Sequence, residues 1–170
     1  MFDVGTIDFA LYEDSTEFMG IASFKIPDRN RKTITINGAG IGGDVEIPIP
    51  GHYDAMVADI TLRADGEKLA KLREPRRHQL ELRVAQSNED PVAGALITAG
   101  FKYVLIGVPK SSSGGTIAPA TSGDTTVSMA VRYLATYMDG KKIEEIDQLN
   151  RIDIVNGVDY NADVRKALGK

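Results

Sequence analysis

The sequence has no cysteine, two histidines and no long apolar run among its 170 residues. Without cysteine, disulfides, cysteine-ligated zinc, iron-sulfur clusters and thiol nucleophiles are excluded. No apolar stretch approaches the ~20 residues of a transmembrane helix, so we expect no membrane role. The N-terminus carries acids where a secretory signal would carry Lys or Arg, which predicts a chain made and folded in cytoplasm.

Length and composition indicate one globular domain over residues 1–170. Hydrophobic residues make up 42% of the chain and charged residues 26%, which is typical of a protein with a buried core. The net charge of −4 argues against general affinity for nucleic acid, which needs a positive face.

The middle of the chain predicts strands. Apolar and polar residues alternate with a period of two from Met56 to Arg63 and again from His78 to Gln86. Between them, Leu69 and Leu72 have helical spacing and predict a short helix, for which Asp65 is the expected N-cap.

Two further strands predict a long hairpin at about 98–138. The first, from Phe101 to Pro109, is apolar on both faces and is expected to be covered on both sides. The second, from about Asp124 to Met138, follows a flexible Ser/Gly-rich tip. Its expected core face comprises Val127, Met129, Val131, Tyr133 and Tyr137, and its polar face includes Thr126, Ser128, Arg132 and Thr136.

The C-terminal part predicts a tight turn at Asp139-Gly140, a strand from Lys142 to Ile146 and a final helix. Tyr160, Val164, Ala167 and Leu168 share one face of that helix, with Asp159 as the expected N-cap. The predicted fold class is therefore mainly β, an antiparallel sandwich or barrel with a short central helix and a C-terminal helix.

The segment NGAGIGGDVEIPIPG, residues 37–51, combines glycines with aliphatic residues. A phosphate-binding loop needs a helix after the glycines, and the prolines in EIPIPG forbid one. The alternative is an assembly arm that becomes ordered on a partner, because exposed strand edges and surplus apolar surface favour self-association. Its residues are Gly38, Gly40, Ile41, Gly42, Gly43, Val45, Ile47 and Ile49.

Other candidate sites are weak, and we expect no cofactor, no metal and no enzymatic activity. Asp159, Asn161 and Asp163 have the spacing of the first EF-hand ligands, but the required Gly and Glu are missing. His52 and His78 have no second ligand at metal-binding spacing, which favours structural roles.

Two basic clusters leave three interpretations open. They are DRNRK at 28–32 and the group Lys71, Arg73, Arg76 and Arg77. Such clusters most often lie in solvated turns, which is the first interpretation. The second is pairing with acidic residues, such as the EEID segment at 144–147, in an oligomer. The third is a nucleic-acid-binding β-barrel, although no aromatic residues lie among the charges.

The segment from Tyr137 to Gly169 resembles the C-terminal part of the major tail tube proteins of contractile-tailed bacteriophages, and also the tubes of contractile bacteriocins. The pattern is MDG, EID, an Asn and then VNGVD before a charged helix. The matching residues are Met138, Asp139, Gly140, Glu145, Ile146, Asp147, Asn150, Val155, Asn156, Gly157, Val158 and Asp159. The glycine-rich arm stands where that family has a similar one.

The resemblance implies a structural subunit of a virion tail or a phage-tail-like particle, assembled in the host bacterial cytoplasm. Such subunits form homohexameric rings that stack into a hollow tube inside the sheath. The implied partners are further copies of the chain, the sheath protein, the tape-measure protein, and the baseplate and tail-terminator proteins. DNA would pass through the lumen without specific binding. The polar strand face, Thr126, Ser128, Arg132 and Thr136, is a candidate for the lumen surface.

Overall fold

The computed structural model describes residues 2–63 and 66–170. The expected helix cap Asp65 lies outside the described residues. Strands dominate, with two short helices, which confirms the predicted fold class. In chain order the elements are β1 (Phe2–Glu13), β2 (Thr16–Phe18), β3 (Ile21–Lys25), β4 (Arg31–Ile36), β5 (Val45–Tyr53), β6 (Met56–Leu62), α1 (Glu67–Arg73), β7 (His78–Asp90), β8 (Ala95–Ser112), β9 (Thr125–Met138), β10 (Lys141–Asp147), β11 (Ile152–Val155), β12 (Val158–Asp159) and α2 (Ala162–Ala167).

Ten strands form one antiparallel sheet that branches at β9. The main path runs β12-β11-β10-β9-β8-β7-β1-β2, and a second branch runs from β9 through β6 to β3. The first half of β9 pairs with β6 and the second half with β10. β4 and β5 form a separate two-stranded sheet.

A β-bulge at Arg132 marks the branch point. The partners of β9 on β8 change from Ile106↔Tyr133 to Gly107↔Val131, which leaves Arg132 without an opposite residue. The bulge reverses the side-chain alternation, because one extra residue exchanges the two faces of a strand. Leu134 and Thr136 are therefore buried after the bulge.

This reversal corrects the predicted faces of β9. Val127, Met129 and Val131 lie in the core as expected, whereas Tyr133 and Tyr137 point to the opposite face and are half-buried. The predicted faces assume an unbroken alternation along β9, and the bulge interrupts it.

The core lies between the β6 branch, the β1–β7 side of the sheet and α1. Its largest cluster is made of apolar side chains from these elements, from β2 and from the first half of β9, with Leu69 and Leu72 of α1 inserted into it. β6 alternates strictly between buried and half-buried residues, as its sequence predicts. A second cluster surrounds Leu134 and Ile146 and includes Met56 and Ala58 of β6.

β8 is 18 residues long and projects beyond its neighbour β9. At ~3.3 Å per residue it extends roughly 60 Å. Its second face, which includes Val104, Ile106 and Val108, is half-buried or exposed, so the described residues of this subunit do not provide the expected covering on both sides.

The C-terminal helix α2 begins after Asn161, not after the expected cap Asp159. Asp159 ends β12, where its Oδ1 accepts a hydrogen bond from the Asn161 N–H at 3.0 Å. The expected apolar face is present but exposed, with Tyr160 and Leu168 more than half accessible. No helix in the described part of the chain is long and apolar enough to cross a membrane.

Candidate assembly surface

The glycine-rich segment forms the end of a projecting hairpin, β4–β5, which we call the arm (residues 31–53). The arm is longer than the predicted segment 37–51 because β4 supplies its first strand. Every residue of β4 is exposed, and so are most residues of β5. The arm therefore leaves the body of the subunit as a two-stranded ribbon.

One face of the arm is apolar. Ile34 lies directly opposite Ile47, and Ile36 lies opposite Val45. Residues two apart on a strand share a face, so these four side chains form one stripe. Thr35 and its partner Glu46 lie on the other face. We call this stripe the aliphatic face (Ile34, Ile36, Val45 and Ile47).

Ile34 and Ile36 lie on this face but outside the predicted arm, and Ile49 of the predicted arm lies near the root. The alternation in KTITI could have identified the first two, since it has the period of a strand with one apolar face. Ile49 is already half-buried near the root of the arm and has less surface to offer a partner.

The tip of the arm is a closed loop. Asn37 Nδ2 donates a hydrogen bond to Asp44 Oδ1 at 2.9 Å across its neck. Gly40 has a φ of +88°, a backbone conformation that favours glycine. Gly38 and Gly43 also have positive φ angles, whereas Gly42 does not. Ile41 lies on this loop and is exposed.

Polar contacts fix the root of the arm to the C-terminal strands. Asp153 on β11 is fully buried and accepts a hydrogen bond from the Tyr53 hydroxyl at 2.9 Å. Arg31 Nη2 lies 3.2 Å from Asp153 Oδ2, an ion pair without hydrogen-bond geometry. Burial, followed by the hydrogen bond to Asp153, raises the pKa of Tyr53 to about 12. The phenol is therefore a stable donor at neutral pH.

A second pair supports the same root. Arg29 Nε lies 2.7 Å from Glu144 Oε2, and Arg29 Nη2 donates a hydrogen bond to Thr136 Oγ1 at 3.3 Å. One basic residue of the 28–32 cluster thus pairs with an acid of the EEID segment, within a single subunit.

The MDG motif forms a two-residue hairpin turn. Asp139 and Gly140 both have positive φ angles, 46° and 82°, as a type I′ turn requires. Asp139 Oδ1 accepts a hydrogen bond from the Gly100 N–H at 3.0 Å, and the Asp139 N–H donates to the Gly100 carbonyl at 2.9 Å. The turn thereby holds β8 where it leaves β9. Met138 is at the edge of this turn and is partly exposed.

The remaining motif residues shape the turns of β10 to β12. Asp147 accepts hydrogen bonds from the backbone of Leu149 and Asn150 and from the Asn150 side chain, which closes the turn after β10. Asn156 and Gly157 form a second turn with positive φ angles, between Val155 and Val158.

Three further motif side chains have direct partners. Glu145 accepts from the Tyr133 hydroxyl and pairs with Lys142, and Ile146 is buried in the second core cluster. Arg165 forms a close ion pair with Asp159, and its hydrogen bond lowers the pKa of that carboxyl. The motif is therefore structural.

The structure divides the predicted polar face of β9. Thr126 and Ser128 are half-buried and bonded to the neighbouring strand β6 through Thr61 and Asp59. Arg132 is the exposed bulge residue. Thr136 is wrong as a lumen candidate, because the bulge places it in the interior, where it is 4% exposed.

A second unpaired surface lies at the opposite end of the sheet. Among the described residues, β1 pairs with β2 only from Leu11 onward, and the start of β8 pairs only with β7. Exposed aliphatic side chains surround these open edges: Val4, Ile7, Val92, Leu96 and Ile97. We call this region the open-edge end.

His78 and Arg76, a member of the other basic cluster, serve the fold. His78 is fully buried, with Nδ1 2.6 Å from Glu13 Oε1 and Nε2 3.0 Å from the Glu74 carbonyl. Arg76 binds the same Glu13 carboxylate at 3.0 Å. These contacts join β1 to the segment between α1 and β7.

Comparison with known proteins agrees with this architecture. The model of the phage tail tube protein FII family matches residues 6–169. The chain belongs to that family. The tail tube protein of Escherichia phage P2 is 26% identical over 155 residues, which cover 89% of each chain. The resemblance to tail tube proteins is confirmed, and the chain is a structural tail tube subunit of a virion tail, not an enzyme.

Two solved structures share the fold of this tail tube subunit. Both come from an extracellular contractile injection system in the extended state. The PVC sheath/tube terminator has a TM-score of 0.55 at 10% identity, over 81% of this chain and 98% of that chain. A chain of the PVC sheath-tube complex has a TM-score of 0.54 at 12% identity, over 81% and 91%. The nucleic-acid-binding barrel is not favoured by these findings.

Proposed function

We propose that this tail tube subunit forms homohexameric rings that stack into the hollow inner tube of a contractile tail. The observation that carries the proposal is the aliphatic face of the arm, which is exposed on a ribbon that leaves the body of the subunit. Exposed apolar stripes of this kind mark interaction surfaces. In the tube, the arm of one ring lies on a subunit of the neighbouring ring.

The open-edge end serves contacts within a ring. Unpaired strand edges surrounded by aliphatic side chains are prone to pair with another chain, and closure into a ring removes them. The half-exposed second face of β8 gains its missing cover in the same way. The aliphatic face of the arm lies on β4 and β5, whereas the open-edge end lies on β1, β8 and the turn before β8. Contacts between rings and contacts within a ring can therefore be disrupted separately.

The partners follow from the position in the tail. The tube lies inside the sheath, starts at the baseplate, ends at the tail-terminator protein and encloses the tape-measure protein before DNA passes. Six copies carry a formal charge of −24, six times the −4 of one chain. An acidic lumen repels DNA phosphates and keeps the passage free of specific binding. Assembly takes place in the host cytoplasm.

Negative-stain electron microscopy of the concentrated protein, with light scattering of the dilute protein, tests the proposal. We expect hollow filaments or sixfold rings, grown spontaneously or from added baseplates. A subunit that remains monomeric even with its own baseplate would refute the proposed assembly.

A further inference from the structure

The arm meets the body of the subunit through a narrow root. From Lys32 to Pro48 its residues are exposed, so little packing along its length holds its direction. A ribbon attached only at its base can pivot, and a pivoting arm loses conformational entropy when it docks. The contacts at the root therefore decide how well the arm is pre-organised.

Asp153 ties both strands of the arm to one point of the body. Arg31 is the first residue of β4 and Tyr53 is the last residue of β5, and both contact the buried Asp153 carboxylate on β11. The Arg31 guanidinium also lies over the Tyr53 ring, 5.4 Å from its centroid. We call these three residues the latch (Arg31, Tyr53 and Asp153).

The latch favours one direction of the arm because its hydrogen bond depends on geometry. A hydrogen bond from a phenol at 2.9 Å is sensitive to angle, whereas apolar packing is not. A different arm direction would leave the buried Asp153 carboxylate without its partners, which is strongly unfavourable.

The backbone at the root of the arm also lies close to the body of the subunit, at Gly51. A Cβ on Gly51 would lie 1.9 Å from Asn161 Nδ2, and Gly51 has a φ of +69°. The arm therefore passes directly against Asn161, the N-cap of α2, and any larger residue at position 51 would have to displace it.

We propose that Arg31, Tyr53 and Asp153 are positioning residues that set the direction of the arm in the free subunit, so that the aliphatic face is presented ready to dock. This inference rests on the proposed function of the arm. The latch acts through the arm and does not itself touch the neighbouring ring.

Distance measurement between two spin labels tests the latch in the full chain. Because the protein has no cysteine, Ala39→Cys at the arm tip and Glu67→Cys on α1 give two unique labelling sites. The first latch variant is Arg31→Gln with Tyr53→Phe. Asp153→Asn is the second, which removes the charge and avoids an unpaired buried carboxylate. Lys32→Gln, at the adjacent exposed cation, is the control.

In dilute protein we expect one narrow distance distribution for the unmodified latch and for the control. Both latch variants should broaden it about twofold, as a segment with few remaining contacts does. Growth on preformed tube seeds should slow about fivefold relative to Lys32→Gln, the effect of losing a modest ion pair. The thermal unfolding midpoint should change little in Asp153→Asn, which distinguishes positioning from a general structural role. It should fall in Arg31→Gln with Tyr53→Phe, because that variant leaves the buried Asp153 carboxylate unpaired.

The inference would be overturned if the spin-label distance distribution were unchanged in both latch variants. It would also be overturned if that distribution broadened while growth on tube seeds stayed normal. A failure of the proposed function would be detected with a different variant. If Ile34→Ser with Ile47→Ser builds tubes normally, the arm itself is not the inter-ring contact, and the distance distribution still decides whether the latch sets its direction.

Discussion

Removing the aliphatic face from the arm should weaken tube growth by an amount that the structure defines. Ile34, Ile36, Val45 and Ile47 are 54, 39, 44 and 47% exposed. Because complete burial of an exposed aliphatic side chain contributes ~1.5–3 kcal/mol, docking a half-exposed one contributes about 1 kcal/mol. Ile34→Ser with Ile47→Ser should therefore remove about 2 kcal/mol per added subunit, which raises the critical concentration for growth about 30-fold.

The critical concentration can be measured by pelleting tubes grown on preformed seeds over a range of protein concentrations. Thr35→Ala with Glu46→Gln changes an opposed pair on the other face of the same ribbon and is the matched control. It should leave the critical concentration near that of the unmodified protein. Equal critical concentrations for the aliphatic and polar variants would refute the assignment of the apolar stripe as the docking face.

Three further predictions concern the body of the subunit. Leu134→Ala opens a cavity at a fully buried position and should lower the free energy of unfolding by about 2–5 kcal/mol in urea titrations, and a surface-like loss below ~0.5 kcal/mol would contradict its place in the core. Asp139→Ala removes the acceptor of the Gly100 N–H and should cost about 1 kcal/mol in the same assay, whereas no loss would show that the turn does not depend on this bond. The lowered pKa of Asp159 stabilises the fold above the usual carboxyl pKa of ~3.9, and this contribution disappears as the pH falls through the lowered pKa. Asp159→Asn should therefore be less stable at neutral pH, with a deficit that shrinks in acid, and a deficit independent of pH would contradict the ion pair with Arg165.

The sequence predicts hairpin turns well because their chemistry is local. Asp139-Gly140 requires positive φ angles at both residues, and the structure has them. The strict alternation of β6 likewise identifies its buried face without help from distant residues.

The faces of β9 could not be predicted beyond Arg132. A bulge depends on which strands pair on either side, and here β9 exchanges β6 for β10 at that residue. The same non-local pairing places Thr136 in the interior and Tyr137 on the opposite, half-buried face. Alternation alone contains no information about such a change of partner.

The contacts at the root of the arm could not be predicted from the sequence for a related reason. Asp153 occurs in IDIV, where it resembles the polar residue of an ordinary alternating strand. Its importance depends on Arg31 and Tyr53, which are about a hundred residues away in sequence. The sequence identifies the cluster at 28–32 as basic and the EEID segment as a candidate partner in an oligomer, but their meeting within one subunit at the base of the arm depends on the fold.

The most direct test of the central claim is a cryo-electron-microscopy reconstruction of the assembled tube at side-chain resolution. The account predicts sixfold rings around an open lumen, with the aliphatic face of each arm packed on a subunit of the neighbouring ring. An arm whose Ile34 and Ile47 face solvent in the finished tube would contradict it.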